Sequence, residues 1–438
     1  MGVIHMQILT TANIVRVALA ILVCLGGGIT NGQTSDTALK DRVNQLVDRL
    51  EAPKIEARAQ AEEALIKLGA RVLPLLPEIE SARGDERKKR LGHVRAVLNE
   101  AAEQTNLGAS KVTIQAKSIR LSEIVQKLQT QTGNAITDLR EAEGAEANNP
   151  SLDIDIVDKP FLEALDIICK QAEISANFFT GDGTIGLMPG KPPEKALIIY
   201  TGPFRVSFKQ IATVRDLQAD TSTASVQLEI AWEPRLRPML LKLKADETKV
   251  VDDRGKEIEA QVMEESTDVV LRPENPVAEM NLNLKAPERA SKALAKVKIK
   301  AEVTVPAAMK TFRFPSLTVK EPATLKLNDI GVTLESTEVD EQVWKVNVEL
   351  AYPGQGPTFE SYRQGLFNNR LWLQKADGSR FEHNGGFSNT SSDAGKLGFE
   401  YLFVDVPGKP GDYGLVYETP SKVLTIPLEF EFKDVPLP

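Results

Sequence analysis

Apolar residues recur every three to four positions early in the chain and every second position late in it. Leu39, Val43, Leu46, Val47 and Leu50 share one helical face. Ala57, Ala61, Ala64, Leu65 and Leu68 form a second stripe, and Gly69 stands where a helix C-cap belongs. Val72 to Ile79 predicts a short third helix, kinked or late to start because of Pro74 and Pro77. A last helix starts near Asp85 and buries Val94, Val97 and Leu98, with the charged run Asp85 to Arg90 as its solvated face. The period changes near residue 110. Val112, Ile114 and Ala116 alternate as in a strand, and Ile124, Val125 and Leu128 then share a helical face that ends at Gly133. A second strand over "NAITDL" and a polar, acidic loop at 140–150 follow. Leu152, Ile154 and Ile156 alternate again, and Pro160 opens a helix with Phe161, Leu162, Leu165, Ile168 and Cys169 facing inward. Two more strands flank the turn Gly181-Asp182-Gly183. The order β-α-β-β-α-β-β predicts an α+β sandwich with its helices on one sheet face.

Beyond residue 200 the pattern is strands. Val297, Ile299, Ala301, Val303 and Val305 alternate with polar residues, as do Leu424, Ile426, Leu428, Phe430 and Phe432. One dry face and one wet face mean antiparallel, sandwich-type sheets. Pro427 falls on the outward phase, which suits an edge strand. The segment Val226–Trp232 (VQLEIAW) matches Val346–Tyr352 (VNVELAY) position by position, 120 residues apart. Downstream, Gly255-Lys256-Glu257-Ile258-Glu259 matches Gly378-Ser379-Arg380-Phe381-Glu382. Two tandem sandwiches of immunoglobulin-like size are expected, the second a duplicate of the first; one large two-sheet domain is the alternative. The fold class is therefore multi-domain α+β. It comprises a helical repeat segment (33–106), a small βαββαββ domain (107–200) and two antiparallel β-sandwich domains (201–317 and 318–438).

A single basic residue, Arg16, precedes the apolar run Val17 to Leu25, and Thr30-Asn31-Gly32 supplies small residues for cleavage. That is the layout of a signal peptide over residues 1–32. The 13 uncharged residues from Val17 to Ile29 are too few for a spanning helix, which needs roughly 20. A lipoprotein reading would use Cys24, but the bulky Val23 precedes it where a small residue is wanted. Cleavage near Gly32 leaves Cys169 alone, so no internal disulfide forms and the fold rests on its cores. The expected location is the periplasm or cell envelope, with no membrane span after signal cleavage. At 438 residues, 42% apolar and 26% charged, the chain is globular and of several domains. Its formal charge of −8 argues against nucleic acid as a partner.

Two stretches resemble known families. The string "ARAQAEEALIKLGARVLPLLPEIESARGDERKKRLGHV" is similar to a HEAT-type helical repeat over about 40–100. It implies a short helical stack that buries its faces against a neighbour. The strings "VTIQAKSIRLSEIVQKLQTQTGNAI" and "LDIDIVDKPFLEALDIICKQAEISANF" resemble the short N-terminal domain of secretins and TonB-dependent receptors, over about 110–190. That resemblance implies contacts between envelope proteins. No outer-membrane barrel follows in this chain, so the pore or receptor activity does not carry over. The C-terminal half resembles no specific family.

Recognisable catalytic machinery is missing from the sequence. His93 and His383 are the histidines left after export, and no G-x-S-x-G elbow, C-x-x-C, H-E-x-x-H, Walker loop or dinucleotide fingerprint accompanies them. Asp252 and Asp253 beside Glu257 could bind Ca²⁺, although turn chemistry explains the same residues. Trp232 and Trp344 run in phase with core residues. Trp372 is out of phase with Leu371 and Leu373, so it is either a second-layer core residue or an exposed ring for ligand stacking. No catalytic residue, metal ligand or cofactor is assigned. The expectation is a non-catalytic binding or scaffold protein that contacts envelope proteins. A polysaccharide-binding protein acting through a β-sandwich is one alternative, and a carboxylate-based hydrolase is another.

Overall fold

In a computed structural model of the chain, strands make up 51% and helices 22%, distributed over several sheets, so the protein is mostly β with an α+β, multi-domain character. The structure describes residues 31–79, 84–141, 148–261, 266–327, 330–352, 369–393 and 395–438. Residues 1–30 of the expected signal peptide, Cys24 among them, lie outside the described residues, and its last two, Asn31 and Gly32, begin the first helix. The chain divides into two compact units, Met1–Ala101 and Ala102–Pro438.

The first unit is helical. Helices α1 (Asn31–Arg49), α2 (Ile55–Lys67) and the start of α3 (Asp85–Leu107) bury Val43, Leu46, Leu50, Leu65, Leu91 and Val94 together. Where a third short helix was expected, Ala70–Leu75 forms a 3₁₀ turn. Pro74 lies inside it and has no amide hydrogen for a longer helix. Arg95 of α3 closes this turn, donating from Nη2 to the carbonyls of Leu76 (2.8 Å) and Pro77 (3.0 Å).

The second unit opens with β1 (Lys111–Arg120), α4 (Leu121–Thr132), β2 (Ile136–Asp138), β3 (Ser151–Pro160), α5 (Phe161–Ala172), β4 (Ile174–Asn177) and β5 (Ile185–Pro189). The strands form two sheets rather than one, β1-β3 and β2-β5-β4. A local repeat of 40 residues explains the split. Helices α4 and α5 have the same length, and α5 starts 40 residues after α4. Each follows a strand bent by a left-handed residue, Ser118 (φ 54°) or Asp158 (φ 51°). The two bends satisfy each other. Asp153 accepts the Ser118 amide hydrogen, and the Thr113 hydroxyl accepts that of Asp158. Each helix also ends on a left-handed residue, Gly133 or Glu173.

Two β cores follow. The first is built on β6 (Leu197–Thr201), β7 (Phe204–Asp216), β8 (Thr221–Trp232), β9 (Leu240–Asp252), β10 (Glu257–Ile258), β11 (Ser266–Val270), β12 (Val277–Lys285) and part of β13 (Ala293–Phe314). The second uses β14 (Ala323–Leu327), β15 (Ile330–Asp340), β16 (Val343–Ala351), β17 (Arg370–Lys375), β18 (Arg380–Glu382), β19 (Phe387–Asp393), β20 (Lys396–Val404) and part of β21 (Tyr413–Pro436). One sheet of the first core runs β6-β7-β8-β12, and one of the second runs β14-β15-β16-β20-β19. The orders correspond strand for strand, β19 being an addition. Both hairpins carry a bulge at the same place: Phe208/Gln210 opposite Leu228 and Gln227, and Leu334/Ser336 opposite Val348 and Asn347.

The remaining sheet, β10-β9-β13-β21-β17-β18 with β11 beside β9, is common to both cores. Strand β13 gives Val297 to Val305 to the first core and Phe312 and Phe314 to the second. Strand β21 runs the other way, giving Tyr413 to Tyr417 to the second and Leu428 to Val435 to the first. The boundary expected near 317 thus divides the sequence but not the packing. Pro427 pairs opposite Glu302 in the half of β21 that β17 does not reach.

The 40-residue repeat makes a paired stability test. Nothing lies within 4 Å of a Cβ built on Gly133, so only its left-handed backbone resists a side chain. Gly133→Ala should lower stability by about 1 kcal/mol in denaturant melts. Glu173→Gly should raise it by a few tenths to about 1 kcal/mol, since the exposed Glu173–Lys191 pair contributes little.

Candidate functional site

The densest buried polar chemistry lies where the α/β segment meets the first β core. Strand β8 ends at Trp232, and the chain turns through Pro234–Leu236 as one 3₁₀ turn. Glu233 enters that turn fully buried. Its Oε1 accepts the Ser110 amide hydrogen (2.8 Å), and its Oε2 accepts from Ser110 Oγ (2.5 Å), Asn134 Nδ2 (3.1 Å) and Arg235 Nε (2.7 Å). Arg235 also donates to the Gly108 carbonyl, and its amide donates to Asn134 Oδ1. A buried carboxylate is stable when its lone pairs are taken up in this way.

A second group sits nearby. Asp166 on α5 accepts from Tyr200 Oη (2.5 Å) and Arg205 Nε (2.7 Å). Arg205 continues to Ser207 Oγ (2.7 Å) and covers the ring of Phe178. Burial, and then the Asp166 charge, push the Tyr200 phenol well above its usual range. The same burial pushes the Cys169 thiol up to about 12, so it remains protonated and unreactive at neutral pH. The loop at Gly181 and Gly183 makes a third contact, donating amide hydrogens to Asn275 Oδ1 (2.9 Å) and the Glu274 carbonyl (2.7 Å). Ala231 and Val277 of the β core pack into the α/β core beside these bonds. In the first two groups a hydroxyl, of Ser110 or of Tyr200, donates to a carboxylate that an arginine also holds. All three groups join one layer to the next.

The residues singled out from the sequence are dispersed. Trp232 and Trp344 are core residues, 3% and 4% exposed. Trp372 is 2% exposed, with the guanidiniums of Arg380 (4.5 Å) and Arg370 (5.6 Å) over its ring. The stacking alternative is corrected accordingly: the ring presents no open face to a sugar, because arginine side chains occupy it. Its Nε1 is buried with no hydrogen-bond partner. Asp252 and Asp253 serve a turn rather than a cation. Asp252 Oδ1 accepts the amide hydrogens of Arg254 and Lys256, its Oδ2 accepts from Ser291 Oγ, and Asp253 accepts the Lys292 amide hydrogen. His93 pairs with Glu62 on the helical unit (2.5 Å). His383 lies among Phe387, Tyr401 and Phe403, with its Nε2 buried and without a partner. Burial lowers its pKa, opposed by the charges of Glu382 and Glu274.

A groove of 420 Å³ is lined by Glu341, Gln342, Trp344, Asp405 and Lys409. Glu341 and Asp405 sit there as left-handed turn residues, φ 52° and 57°. Among the described residues no group of three or more His, Cys, Asp or Glu could hold a metal ion, and no helix is long and apolar enough to cross a membrane.

No family model matches the chain, and no curated protein is similar to it. Among solved structures, the crystal structure of the conserved domain protein from Bacillus anthracis is similar at 8% identity, over 55% of this chain and 92% of that chain, with a TM-score of 0.18. A likeness so slight carries neither fold nor function across.

Sequence reasoning missed Glu233, Asp166 and Arg205. A Glu after a strand-ending Trp looks like an ordinary loop residue, and two of its partners, Ser110 and Asn134, lie 123 and 99 positions away. Glu233→Gln should cost about 3 kcal/mol in equilibrium unfolding, because Arg235 then keeps a half-buried charge without its carboxylate. His383 should also leave a pH signature. Its pKa is lower folded than unfolded, so stability is complete above about pH 6.5 and falls as pH drops through the folded value. His383→Phe, measured beside the native protein, should flatten the stability curve between pH 7 and 5.

Proposed function

We propose that this is an exported, non-catalytic scaffold protein of the cell envelope that binds other proteins. In this reading the helical unit is a HEAT-type interaction module and residues 107–200 form a secretin-type domain. The two β modules are then a tandem duplicate. The 120-residue match, the matching strand orders and the equivalent bulges support duplication. The Arg16-led apolar run before Gly26 supports export.

One observation carries the binding role. Glu233 is fully buried and the Asp166–Arg205 pair mostly so, and their hydrogen bonds run across a boundary between layers. An enzyme places its perturbed groups where substrate reaches them. A scaffold uses them to hold its modules at one fixed angle, so that exposed surfaces keep their spacing.

Val157 (56% exposed) and Phe179 (48% exposed) are apolar and open to solvent on the α/β segment. A photo-crosslinking residue at either position, in the full-length protein in its native envelope, should yield a discrete protein adduct. Recovery of free protein alone from both positions would overturn the proposal.

A further inference from the structure

The outer face of the shared sheet in the second β module is unlike the rest of this acidic chain. Strand register places Arg313, Val416, Trp372 and Glu382 in one row across β13, β21, β17 and β18. The flanking rows on the same face add Glu418 with Arg370, and Gln374 with Arg380. The opposite face carries Phe312, Tyr417, Leu371 and Leu373 into the core. Three arginines therefore surround one tryptophan. Arg313 and Arg380 are exposed. Arg237 stands close enough to Arg370 for the two cations to repel.

The acids on this face, Glu418 and the exposed Glu382, are outnumbered by its arginines. Glu418 lies 3.8 Å from Arg370 and accepts from Thr311 Oγ1. Arg313 donates to a neutral side chain, Gln374 (3.0 Å), and has no carboxylate partner among the described residues. Arg380 rests on the indole ring with no carboxylate partner among the described residues. Stacking leaves a guanidinium's in-plane N–H groups free, and those are the donors that bind a carboxylate bidentately. The three arginines stand on three different strands, β13, β17 and β18, so the cations are spread across the sheet face.

We infer that the Trp372 face binds a carboxylate-rich segment of a partner protein, with Arg313, Arg370 and Arg380 as its anion-binding residues. This rests on the binding-protein reading and specifies its partner. A fluorescein-labelled peptide of six Glu-Ser repeats, titrated into the full-length protein by polarisation, tests it against a Gln-Ser peptide of equal length. The Glu-Ser peptide should bind, weaken as salt rises and change the tryptophan emission. Arg313→Ala with Arg380→Ala should weaken it at least tenfold, and Lys298→Ala with Lys300→Ala, in the first module, should leave it unchanged. Arg313→Gln with Arg380→Gln, which retains more of the cover over Trp372, should show the same loss. Equal binding of the Gln-Ser peptide, or indifference to both arginine pairs, would overturn the inference. So would tighter binding of alginate or polyphosphate, since the face would then serve an anionic polymer. Peptide binding without any crosslinked adduct from Val157 or Phe179 would sink the proposed role of the α/β segment and leave this site standing.

Discussion

The antiparallel pairing of β13 with β21 is the constraint on which the β half of the molecule depends. It runs from Ala293 opposite Pro436 to Phe314 opposite Leu415, and each strand serves one core at one end and the other core at the other. Side chains alternate across a strand, so a one-residue slip turns every apolar residue to the wrong side. The pairing contains a double bulge. Between Pro306 and Met309 each strand carries one extra residue, Ala307 on one and Ser421 on the other, and the two offset each other so that the register is the same at both ends. In β13 the buried positions change from odd numbers, Val297 to Val305, to even ones, Phe312 and Phe314. The bulge thus lets one continuous ribbon present its apolar side to two cores in turn. The strands begin 120 residues apart, at Ala293 and Tyr413, the same interval as the VQLEIAW and VNVELAY match. Each repeat unit lends its last strand to the other.

The α/β segment is secured differently, by polar groups with a modest apolar contact. Ala231 and Val277 are small contributions to its core, and Glu233, Asp166 and the 181–183 loop supply the directional bonds. Hydrogen bonds to a buried carboxylate have a narrow geometry, whereas apolar packing tolerates sliding. Docking of this kind fixes orientation more than it adds stability. Gly183 reinforces the point, since a Cβ there would come within 2.7 Å of the Pro273 carbonyl oxygen.

What the sequence revealed follows from the range of the interactions involved. Periodicity is local, and it located the helices, the alternating strands around Val297 and Leu428, and the core phase of Trp232 and Trp344. It even placed Trp372 on the opposite side of its strand from Leu371. It could not say what covered that ring, because Arg380 arrives from another strand. The partners of Glu233 were invisible for the same reason, Ser110 and Asn134 being distant along the chain. The 40-residue repeat was hidden by its chemistry. Its left-handed positions are filled by Ser118 and Asp158, and by Gly133 and Glu173, so backbone conformation persists where residue type does not. The exchange of strands between the two cores left no trace beyond a poorly patterned stretch, Pro306-Ala307-Ala308.

On the proposed duplication the outer faces of the shared sheet correspond, and their charges can be compared. In the first module the face is a ladder of lysines and glutamates that neutralise one another. Lys296 meets Glu431, Lys300 meets Glu247 and Lys244 meets Glu302, at 3.0, 2.6 and 3.2 Å. Exposed pairs of this kind contribute little stability, but they leave few donors for an outside partner and keep a flat sheet soluble. In the second module the corresponding surface carries arginines, of which Arg313 and Arg380 have no carboxylate partner among the described residues, and an indole lies beneath Arg370 and Arg380. A guanidinium is weakly hydrated and keeps its planar donors while stacked, which an ammonium cannot do. The two modules thus share a strand order in their cores and differ in the chemistry of their surfaces.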